Sequence, residues 1–263
     1  MNKLENIQFN RVYQMDCVQG MSSFLPKESI DLQIVDPPYN IGLKGAKVNL
    51  KKGYKAIDED WDTIENFEEF TLNWLKECYR TLKPNGSILS YGTHHNVFLT
   101  GYLMEQLGFK IKMQYIWKKT NPPPSFLGTN PKYATESIIW ATKGGSYTYN
   151  YDYAKSINGG KNISNVFETA LTPQREKKHG KFPCQKPLEV TIKLLNLHSN
   201  PNDMVLVPFT GSGTECLGAR LTNRNFVSFE TNYKYIELAN NRLDDAECFE
   251  NYFEYLLNHK QVS

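Results

Sequence analysis

The amino-acid sequence predicts an α/β fold, with a doubly wound, mostly parallel sheet and helices on both faces. Apolar runs typical of buried strands alternate with amphipathic stretches of helical periodicity along the 263 residues. Two of these runs end in turns built from proline or glycine, at the strand ends where such sheets bind ligands. Hydrophobic content is 40% and charged content is 22%, which is ordinary for a globular protein. We therefore expect a single domain over residues 1–263.

The individual elements follow from local patterns. A helix is predicted over 66–82, where apolar residues recur at helical spacing and Pro84-Asn85-Gly86 follows. Comparable patterns predict helices over 18–25, 96–106, 187–198, 213–221 and 233–243, and a weakly specified helical tail beyond Phe249. Alternating or uniformly apolar runs predict strands over 11–15, 31–35, 87–91, 110–118, 136–142, 203–207 and 225–229.

Two segments break this alternation. Residues 41–60 are polar, with five lysines and no acid between 41 and 55, so we expect a mobile loop. Residues 144–186 contain two Gly-Gly pairs and little periodicity, so we expect an inserted, partly irregular lobe. Basic segments on a chain of net charge +2 fit a polyanion-binding face, although solvated basic loops would have the same composition.

Composition also limits the compartment and the chemistry. The five cysteines are scattered and include no Cys-x-x-Cys pair, which indicates a reducing compartment and argues against a zinc site. No apolar run approaches the ~18 residues of a membrane span, and the first six residues contain no signal-peptide core. We expect a cytoplasmic protein with neither a metal site nor a membrane segment.

The most informative motif is Asp36-Pro37-Pro38-Tyr39. It follows the predicted buried strand 31–35, and neither proline has the N–H that would continue the sheet. The chain must leave the sheet in a stiff turn that carries a carboxylate, fixed carbonyls and a flat aromatic ring. This set suits a planar ring with an amino group, such as a nucleobase. An ordinary strand-to-loop exit with a surface tyrosine would contain the same residues.

A second turn follows a predicted strand and opens a helix. Its sequence is Pro208-Phe209-Thr210-Gly211-Ser212-Gly213-Thr214. Gly211 and Gly213 permit positive φ and a close approach to the backbone, and the helix N-terminus offers free N–H groups to a carboxylate. Glu230 ends the next strand, where an acid can bind both hydroxyls of a ribose. Position 216 is cysteine instead of a third glycine, so no pyrophosphate is required. The pattern indicates a nucleoside cofactor, and the alternative is a tight turn followed by an unrelated acid.

Together the two motifs resemble those of S-adenosylmethionine-dependent DNA amino-methyltransferases. The target-base motif precedes the cofactor motif, as in the permuted β-class of restriction–modification and phage enzymes. Further segments that resemble the family lie at 117–122, 135–140, 182–187, 225–230 and 235–243. The resemblance spans roughly residues 11–243 and implies a Rossmann-like sheet with the methyltransferase motifs in circularly permuted order.

The resemblance implies that the target base is swung out of the DNA duplex into the site. It implies four catalytic residues, Asp36, Pro37, Pro38 and Tyr39. Tyr39 would stack on the extruded base, a contact worth roughly 1–3 kcal/mol. Asp36 and the Pro37 carbonyl would accept hydrogen bonds from the exocyclic amine, which favours its pyramidal, charge-developing transition state. The donor carries an activated methyl group, so neither a metal nor an enzyme nucleophile is needed.

The resemblance also implies which residues bind S-adenosylmethionine and DNA. The cofactor residues are Asp16, Lys186, Phe209, Thr210, Gly211, Ser212, Gly213, Thr214 and Glu230. Among them Glu230 would bind the ribose and Asp16 would lie near the adenine, whereas Lys186 could equally contact a phosphate or the surface. The DNA contacts are expected in the two segments that break the alternation, at Lys51, Lys52, Tyr149, Tyr151, Arg175 and Lys178.

Departures from the family pattern surround the cofactor motif. Val207 stands where an acid usually precedes the Pro-Phe pair, and loss of one charged hydrogen bond costs ~1.5–3 kcal/mol. Phe182 and Cys184 replace a common His and Thr. Glu215 replaces a common Thr in the first turn of a helix, where it is favoured by the helix dipole, and it could partly restore the missing negative charge. A relative that binds DNA without the cofactor is therefore an alternative.

The target base and the partners follow from the same resemblance. Asp at position 36 favours adenine N6, whereas Ser is commoner there in enzymes that methylate cytosine N4. N4-cytosine methylation is the alternative, and methylation of RNA or protein is a weaker one. The expected partners are DNA, double-stranded or single-stranded, a cognate restriction endonuclease, and a second copy of the chain, because many relatives dimerise.

Overall fold

The structure is a computed structural model that describes residues 7–41, 62–125 and 131–258. Nearly all of the predicted loop 41–60, including Lys51 and Lys52, lies outside the described residues. Within the described ranges no helix is both long enough and apolar enough to cross a membrane.

Eight strands of the described residues form one sheet. They are β1 (Arg11–Gln14), β2 (Ile30–Val35), β3 (Leu82–Gly92), β4 (Lys110–Lys119), β5 (Thr135–Thr142), β6 (Val166–Thr169), β7 (Met204–Val207) and β8 (Asn225–Glu230). Their spatial order is β1-β8-β7-β2-β3-β5-β4-β6. The first five strands in this order are mutually parallel, β5 is antiparallel to both of its neighbours, and β6 is parallel to β4. The predicted α/β class with a mostly parallel sheet is confirmed, with β5 as the reversed strand.

Helices cover the sheet in two groups. The first group is α1 (Cys17–Phe24), α2 (Phe67–Thr81) and α3 (Val97–Gln106), which contact one another in chain order. The second group is α4 (Tyr151–Ser156), α5 (Leu188–His198), α6 (Thr214–Leu221) and α7 (Tyr233–Asp244), which also contact in chain order and are followed by α8 (Glu247–Asn258). These are the two helical faces that the alternation of strands and helices predicts.

The strand residues divide between two apolar layers because successive side chains point to opposite faces of a sheet. Leu32 and Ile34 of β2 belong to the layer that contains α5 and α6. Val35, which follows Ile34, belongs to the layer that contains Trp74 of α2. Gln33 interrupts the apolar pattern of β2, but its buried amide donates to the Cys78 carbonyl at 2.9 Å. The strand is therefore buried on both faces, as its sequence predicts.

The end of α2 differs from the prediction. The helix ends at Thr81, and Leu82 is already extended, with φ −69° and ψ 133°. Pro84-Asn85-Gly86 does not close the helix but lies within β3, where the pairing with β2 shifts in register. Such an irregularity accommodates a proline because the local ladder needs no hydrogen bond there.

The segment 144–186 contains α4, β6 and a short 3-10 helix, Gln174–Lys177. Burial alternates along β6, where Phe167 and Thr169 face inward. At four residues this strand is too short to produce a clear periodic signal in the sequence. Because β6 pairs with β4, the segment forms the edge of the central sheet.

The pairing of β2 with β7 positions the candidate site. The two strands run parallel, with Leu32 opposite Val205 and Gln33 opposite Leu206. The chain leaves β2 towards β3 on one side, whereas it leaves β7 towards β8 on the other side. This reversal is the topological switch point at which open α/β sheets bind ligands. Asp36 and Pro208, the first residues of the two motifs, directly follow these strands.

A buried carboxyl group completes the start of α5. Pro187 is the N-cap residue and provides no side-chain hydrogen bond, but Glu176 Oε2 accepts the backbone N–H of Leu188 at 2.9 Å. Glu176 Oε1 has no hydrogen-bond partner among the described residues. Burial raises the pKa of Glu176 to about 7. Burial therefore disfavours the ionised form of the Glu176 carboxyl group.

We predict that Glu176→Gln flattens the pH dependence of stability. The folded-state pKa of about 7 exceeds the ordinary value of 4.5, so the folded state binds more protons and the free energy of unfolding falls as the pH rises from 4.5 to 7. Glutamine does not ionise, so the decrease in the free energy of unfolding should be about 3 kcal/mol smaller in the variant. Urea unfolding at pH 5 and pH 8 measures it, with the exposed Glu68→Gln as the control. Equal falls in both variants would contradict the assignment.

Candidate active site

The ends of β2 and β7 open onto one cavity of about 330 Å³. This volume lies in the range of sites for small molecules. Asp36 and Pro38 of the first motif form part of its wall, and the residues 208–212 of the second motif form another part. Asp36 and Gly211, which are distant in sequence, therefore face the same space.

Asp36 belongs to a buried cluster of alternating charges. Lys186 Nζ lies 2.6 Å from Asp36 Oδ2, and the Tyr39 hydroxyl donates to Asp36 Oδ1 at 2.7 Å. Glu136 extends the cluster, because its Oε2 is 3.5 Å from Lys186 Nζ and its Oε1 is 2.7 Å from Lys119 Nζ. Two carboxylates and two ammonium groups thus compensate one another in a place largely shielded from water.

The cluster fixes the protonation of Lys186. Burial alone would lower the pKa of Lys186, but the Asp36 and Glu136 carboxylates outweigh it and raise that pKa well above the ordinary value. Burial raises the pKa of Asp36, against the opposing effect of the Lys186 ammonium. Burial also acts to raise the pKa of Glu136, but Lys186 and Lys119 together lower it. Asp36 therefore always has a cation beside it near neutral pH.

Asp62 fixes the backbone of the first motif. Its Oδ1 accepts the N–H groups of Tyr39 at 2.7 Å and Asn40 at 2.8 Å, and its Oδ2 accepts that of Ile41 at 3.1 Å. Asn40 adopts a positive φ of 54°, and its side chain accepts the Ile64 N–H at 2.9 Å. Sequence reasoning missed Asp62 because it lies in an acidic stretch without a recognisable motif.

The other two residues of the first motif lie beside the cavity wall. Tyr39 is 7% exposed, and Lys186 Nζ lies 5.3 Å from the centroid of its ring. Pro37 is buried. The hydroxyl of Tyr39 orients Asp36, which is a role that the sequence did not suggest, and stacking of Tyr39 on a base stays a prediction.

Glu230 organises the second motif from the end of β8. Its Oε2 accepts the Gly211 N–H at 3.0 Å, and its Oε1 accepts the N–H groups of Thr231 and Asn232 at 2.9 Å each. Burial raises the pKa of Glu230, and these backbone donors oppose the shift. The Glu230 carboxylate lies at the cavity wall in a fixed orientation. Its oxygens can still accept hydrogen bonds from further donors.

The two glycines of the second motif have different neighbours. Gly211 has φ +49°, and a Cβ there would meet the Phe182 ring at 2.9 Å. Gly213 has φ +74° and caps α6, and a Cβ there would meet Ala239 Cβ at 2.7 Å. Gly211 forms part of the cavity wall, whereas Gly213 packs against α7.

Of the remaining predicted cofactor residues, five line the cavity and Thr214 does not. Phe209, Thr210, Ser212, Asp16 and Lys186 line the cavity. Asp16 is also the N-cap of α1 and accepts the Gln19 N–H at 3.0 Å. Thr214 lies behind the turn, where its hydroxyl accepts a hydrogen bond from Arg242 Nη1 at 2.9 Å. The structure thus places Lys186 against Asp36 and assigns Thr214 a contact within the fold.

Position 207 and Glu215 differ sharply in their surroundings. Val207 is fully buried among apolar side chains with Val205. Glu215 is 4% exposed and lines the cavity from the first turn of α6. Burial, with a further contribution from the Asp36 carboxylate, raises the pKa of Glu215 to about 7. The cavity therefore contains an acidic group directly after the second motif, even though position 207 is apolar.

The predicted basic DNA contacts, Arg175 and Lys178, both contact residues near the C-terminus of the described chain. The Arg175 guanidinium lies 4.6 Å from the ring centroid of Tyr252 in α8. Lys178 Nζ forms an ion pair with Asp245 Oδ2 at 2.7 Å. Each side chain has an intramolecular partner, so contact with DNA would compete with it.

The predicted aromatic DNA contacts also differ from each other. Tyr149 packs on Trp140 with ring centroids 5.7 Å apart, and its hydroxyl donates to Asn162 at 3.3 Å. Tyr151 is 50% exposed, and Lys155 Nζ lies 4.8 Å from its ring centroid. Of these two aromatic residues, Tyr151 offers the larger surface to a partner.

Comparisons with known proteins give the family of the chain. A family model described as DNA methylase, covering N6 and N4 methyltransferases, matches residues 30–241. The Type II methyltransferase M.HinfI of Haemophilus influenzae is 36% identical over 265 aligned positions, covering 96% of this chain and 74% of that protein. The Type II methyltransferase M2.LlaDCHI of Lactococcus lactis subsp. cremoris is 36% identical over 229 positions, covering 84% and 85%.

Solved structures share the fold. The M1.HpyAVI–SAM complex superposes with a TM-score of 0.67 at 27% identity, covering 89% of this chain and 98% of the other. The cytosine-N4-specific PvuII DNA methyltransferase superposes with a TM-score of 0.71 at 19% identity, covering 94% and 92%. At that lower identity the similarity concerns the fold alone.

The sheet and the paired turns at its switch point define an α/β methyltransferase. The chain belongs to the DNA methylase family of N6 and N4 amino-methyltransferases. S-adenosylmethionine is the methyl donor of this family, so the predicted cofactor is confirmed.

We predict that Gly213→Ala destabilises the fold by about 2–4 kcal/mol, because it combines a left-handed backbone with overlap in a packed interface. Gly145→Ala is the matched control, since a Cβ there meets nothing within 4 Å. Urea denaturation of both variants gives the comparison. If Gly213→Ala lost no more stability than Gly145→Ala, the interface with α7 would accommodate the added methyl group and the prediction would be wrong.

We also predict that Asp62→Ala lowers methyl transfer at least tenfold and stability by about 1–3 kcal/mol, because the N–H groups of Tyr39, Asn40 and Ile41 lose their acceptor. Asp62→Asn keeps one acceptor oxygen and should lose less activity. Glu65→Ala, an exposed acid three residues away, is the control. Rates with a DNA substrate and chemical denaturation provide the two measurements. Full activity in Asp62→Ala would refute this role.

Proposed function

We propose that this chain transfers a methyl group to the N6 amine of an adenine extruded from DNA, as a member of the permuted β-class. The proposal rests mainly on one observation, namely that Asp36 and the Gly211 turn face the same cavity at the switch point. Asp at position 36 favours adenine, and the order of the two motifs along the chain supports the permuted class. Segment 144–186 and residues 41–60 are proposed to contact DNA.

The residues of the cavity fit S-adenosylmethionine, which supplies an electrophilic methyl group when it is bound. Glu230 has fixed carboxylate oxygens for ribose hydroxyls, and Gly211 presents a backbone without a Cβ at the cavity wall. Phe209 and Phe182 contribute apolar surface to the wall. We assign the cofactor to Asp16, Phe209, Thr210, Gly211, Ser212 and Glu230, with Gly213 and Thr214 supporting the turn from behind.

Asp36 is assigned to the target amine. An ionised carboxylate has about four acceptor positions, and Lys186 and Tyr39 occupy one position on each oxygen. The remaining positions can accept the N–H groups of an exocyclic amine and favour its pyramidal form. With Lys186 permanently charged beside it, Asp36 acts as an oriented acceptor rather than a strong base. The proton of the amine is then released to water.

The proposed partners follow from the family. DNA is the substrate, and the Type II names of the two relatives support a role beside a restriction endonuclease. That endonuclease and a homodimer remain predictions.

We predict that Asp36→Ala abolishes methylation of DNA, because the amine loses its acceptor, while the affinity for S-adenosylmethionine changes less than tenfold. Circular dichroism should show an unchanged fold. Lys186→Met is a second variant, which removes the cation but keeps the acceptor, and it should retain measurable transfer. Methylation by Asp36→Ala at the wild-type rate would show that Asp36 does not take part in methyl transfer.

The target base is tested by mass spectrometry of nucleosides from DNA incubated with the protein and S-adenosylmethionine. We expect N6-methyladenine, and Asp36→Ala supplies the matched blank. N4-methylcytosine without N6-methyladenine would reassign the substrate within the same family. If calorimetry detected no binding of S-adenosylmethionine, the chain would be a DNA-binding relative without its cofactor.

A further inference from the structure

Four carboxyl groups line the described part of the cavity, and three of them have direct partners that define their roles. They are Asp16, Asp36, Glu215 and Glu230. Asp16 caps α1, Asp36 is bound by Lys186 and Tyr39, and Glu230 accepts three backbone N–H groups.

Glu215 has much weaker contacts than the other three acids. Thr191 Oγ1 lies 3.5 Å from its Oε1, which is the outer limit of a hydrogen bond. Lys186 and Arg242 influence it through space, without a direct ion pair among the described residues. A buried carboxylate is costly unless it is paired, so this acid has the capacity and the need for a cationic partner from the cavity.

We propose that Glu215 supplies the carboxylate that binds the ammonium group of the amino-acid portion of S-adenosylmethionine. The assignment rests on the proposed cofactor site. It provides a carboxylate for the ammonium group, which the apolar side chain at position 207 cannot bind. Val207 is fully buried in the apolar layer and offers no acceptor.

Electrostatics at the start of α6 favours this assignment. The positive N-terminal end of a helix attracts the carboxylate of an amino acid and repels its ammonium group. An amino-acid moiety that approaches this end therefore needs a fixed negative charge for its ammonium. Glu215, the second residue of α6, places that charge at the cavity wall.

The charge state of Glu215 makes the binding dependent on pH. The charged groups that face it are Asp36, which follows β2, Lys186, which precedes α5, and Arg242 of α7. Because its pKa is about 7 without a ligand, Glu215 is mostly neutral at pH 6 and mostly ionised at pH 8. An ammonium ligand favours the ionised form, so its binding should release a proton at pH 7.

Calorimetric titration with three ligands tests the assignment. S-adenosylmethionine and S-adenosylhomocysteine both have the amino-acid portion, whereas 5′-methylthioadenosine has the nucleoside and the sulfur without it. Glu215→Gln should weaken the first two by about ten- to hundredfold and leave 5′-methylthioadenosine unchanged. Glu215→Asp keeps the charge and should recover part of the affinity. Glu68→Gln, which removes an acid from the first turn of α2, is the control and should change nothing.

Two further readouts separate binding from a structural role. The ratio of wild-type to Glu215→Gln affinity for S-adenosylmethionine should rise from pH 6 to pH 8, and buffers of different ionisation enthalpy should reveal proton release in the wild type only. Urea denaturation should give Glu215→Gln a stability equal to or above that of the wild type, because the variant removes an unpaired buried acid.

The possible outcomes are distinct. Equal affinity of the wild type and Glu215→Gln for S-adenosylmethionine at pH 8 would overturn the assignment while leaving the cofactor site intact. A loss confined to S-adenosylmethionine, with S-adenosylhomocysteine unaffected, would place Glu215 at the sulfonium and would also overturn it. No binding of any of the three ligands to the wild type would instead refute the proposed function.

Discussion

The parallel pairing of β2 with β7 is the constraint on which the site depends. Each strand is short, buried over most of its length and followed by a turn that cannot continue the sheet. Because parallel neighbours end at the same edge, their two turns must meet, however far apart they lie in the chain. The chain then winds in opposite directions from the two strands, which leaves a crevice between the turns. The cavity is a consequence of this topology, and the motifs supply its chemistry.

Charge compensation is the second organising feature of the site. Asp36 and Glu136 would be costly in a buried position, but Lys186 and Lys119 lie between and beside them. A cluster of this kind gives little net stability, because desolvation offsets most of the Coulomb attraction. Its effect is orientation, since each carboxylate oxygen of Asp36 has a fixed partner. A family of enzymes that acts on a weakly nucleophilic amine needs acceptors in fixed directions more than it needs a strong base.

The two acids beside the second motif, Glu230 and Glu215, also differ in how firmly the fold orients them. Glu230 is tied to three backbone N–H groups and cannot reorient without breaking the turn. Glu215 has a long contact with Thr191 and a hydrogen bond with its own backbone N–H, but no direct ion pair among the described residues, so it can respond to a charged ligand. We therefore propose that Glu230 presents oriented oxygens to ribose hydroxyls and that Glu215 changes its charge state when the ligand binds. Both lie at the wall of one cavity because β7 and β8 are neighbours in the sheet.

The sequence by itself determined the α/β class, most of the helices and strands, and the two motifs, because these depend on local periodicity, on prolines without an N–H and on glycines with positive φ. It could not reveal Asp62, Glu136 or Lys119 as parts of the site, since their partners are distant in the chain and no spacing rule connects them. The tertiary structure also decided that Lys186 faces Asp36 and that β5 is reversed. Local patterns depend on neighbouring residues, whereas a buried ion pair or a strand direction depends on which elements pack together, and only the folded chain fixes that.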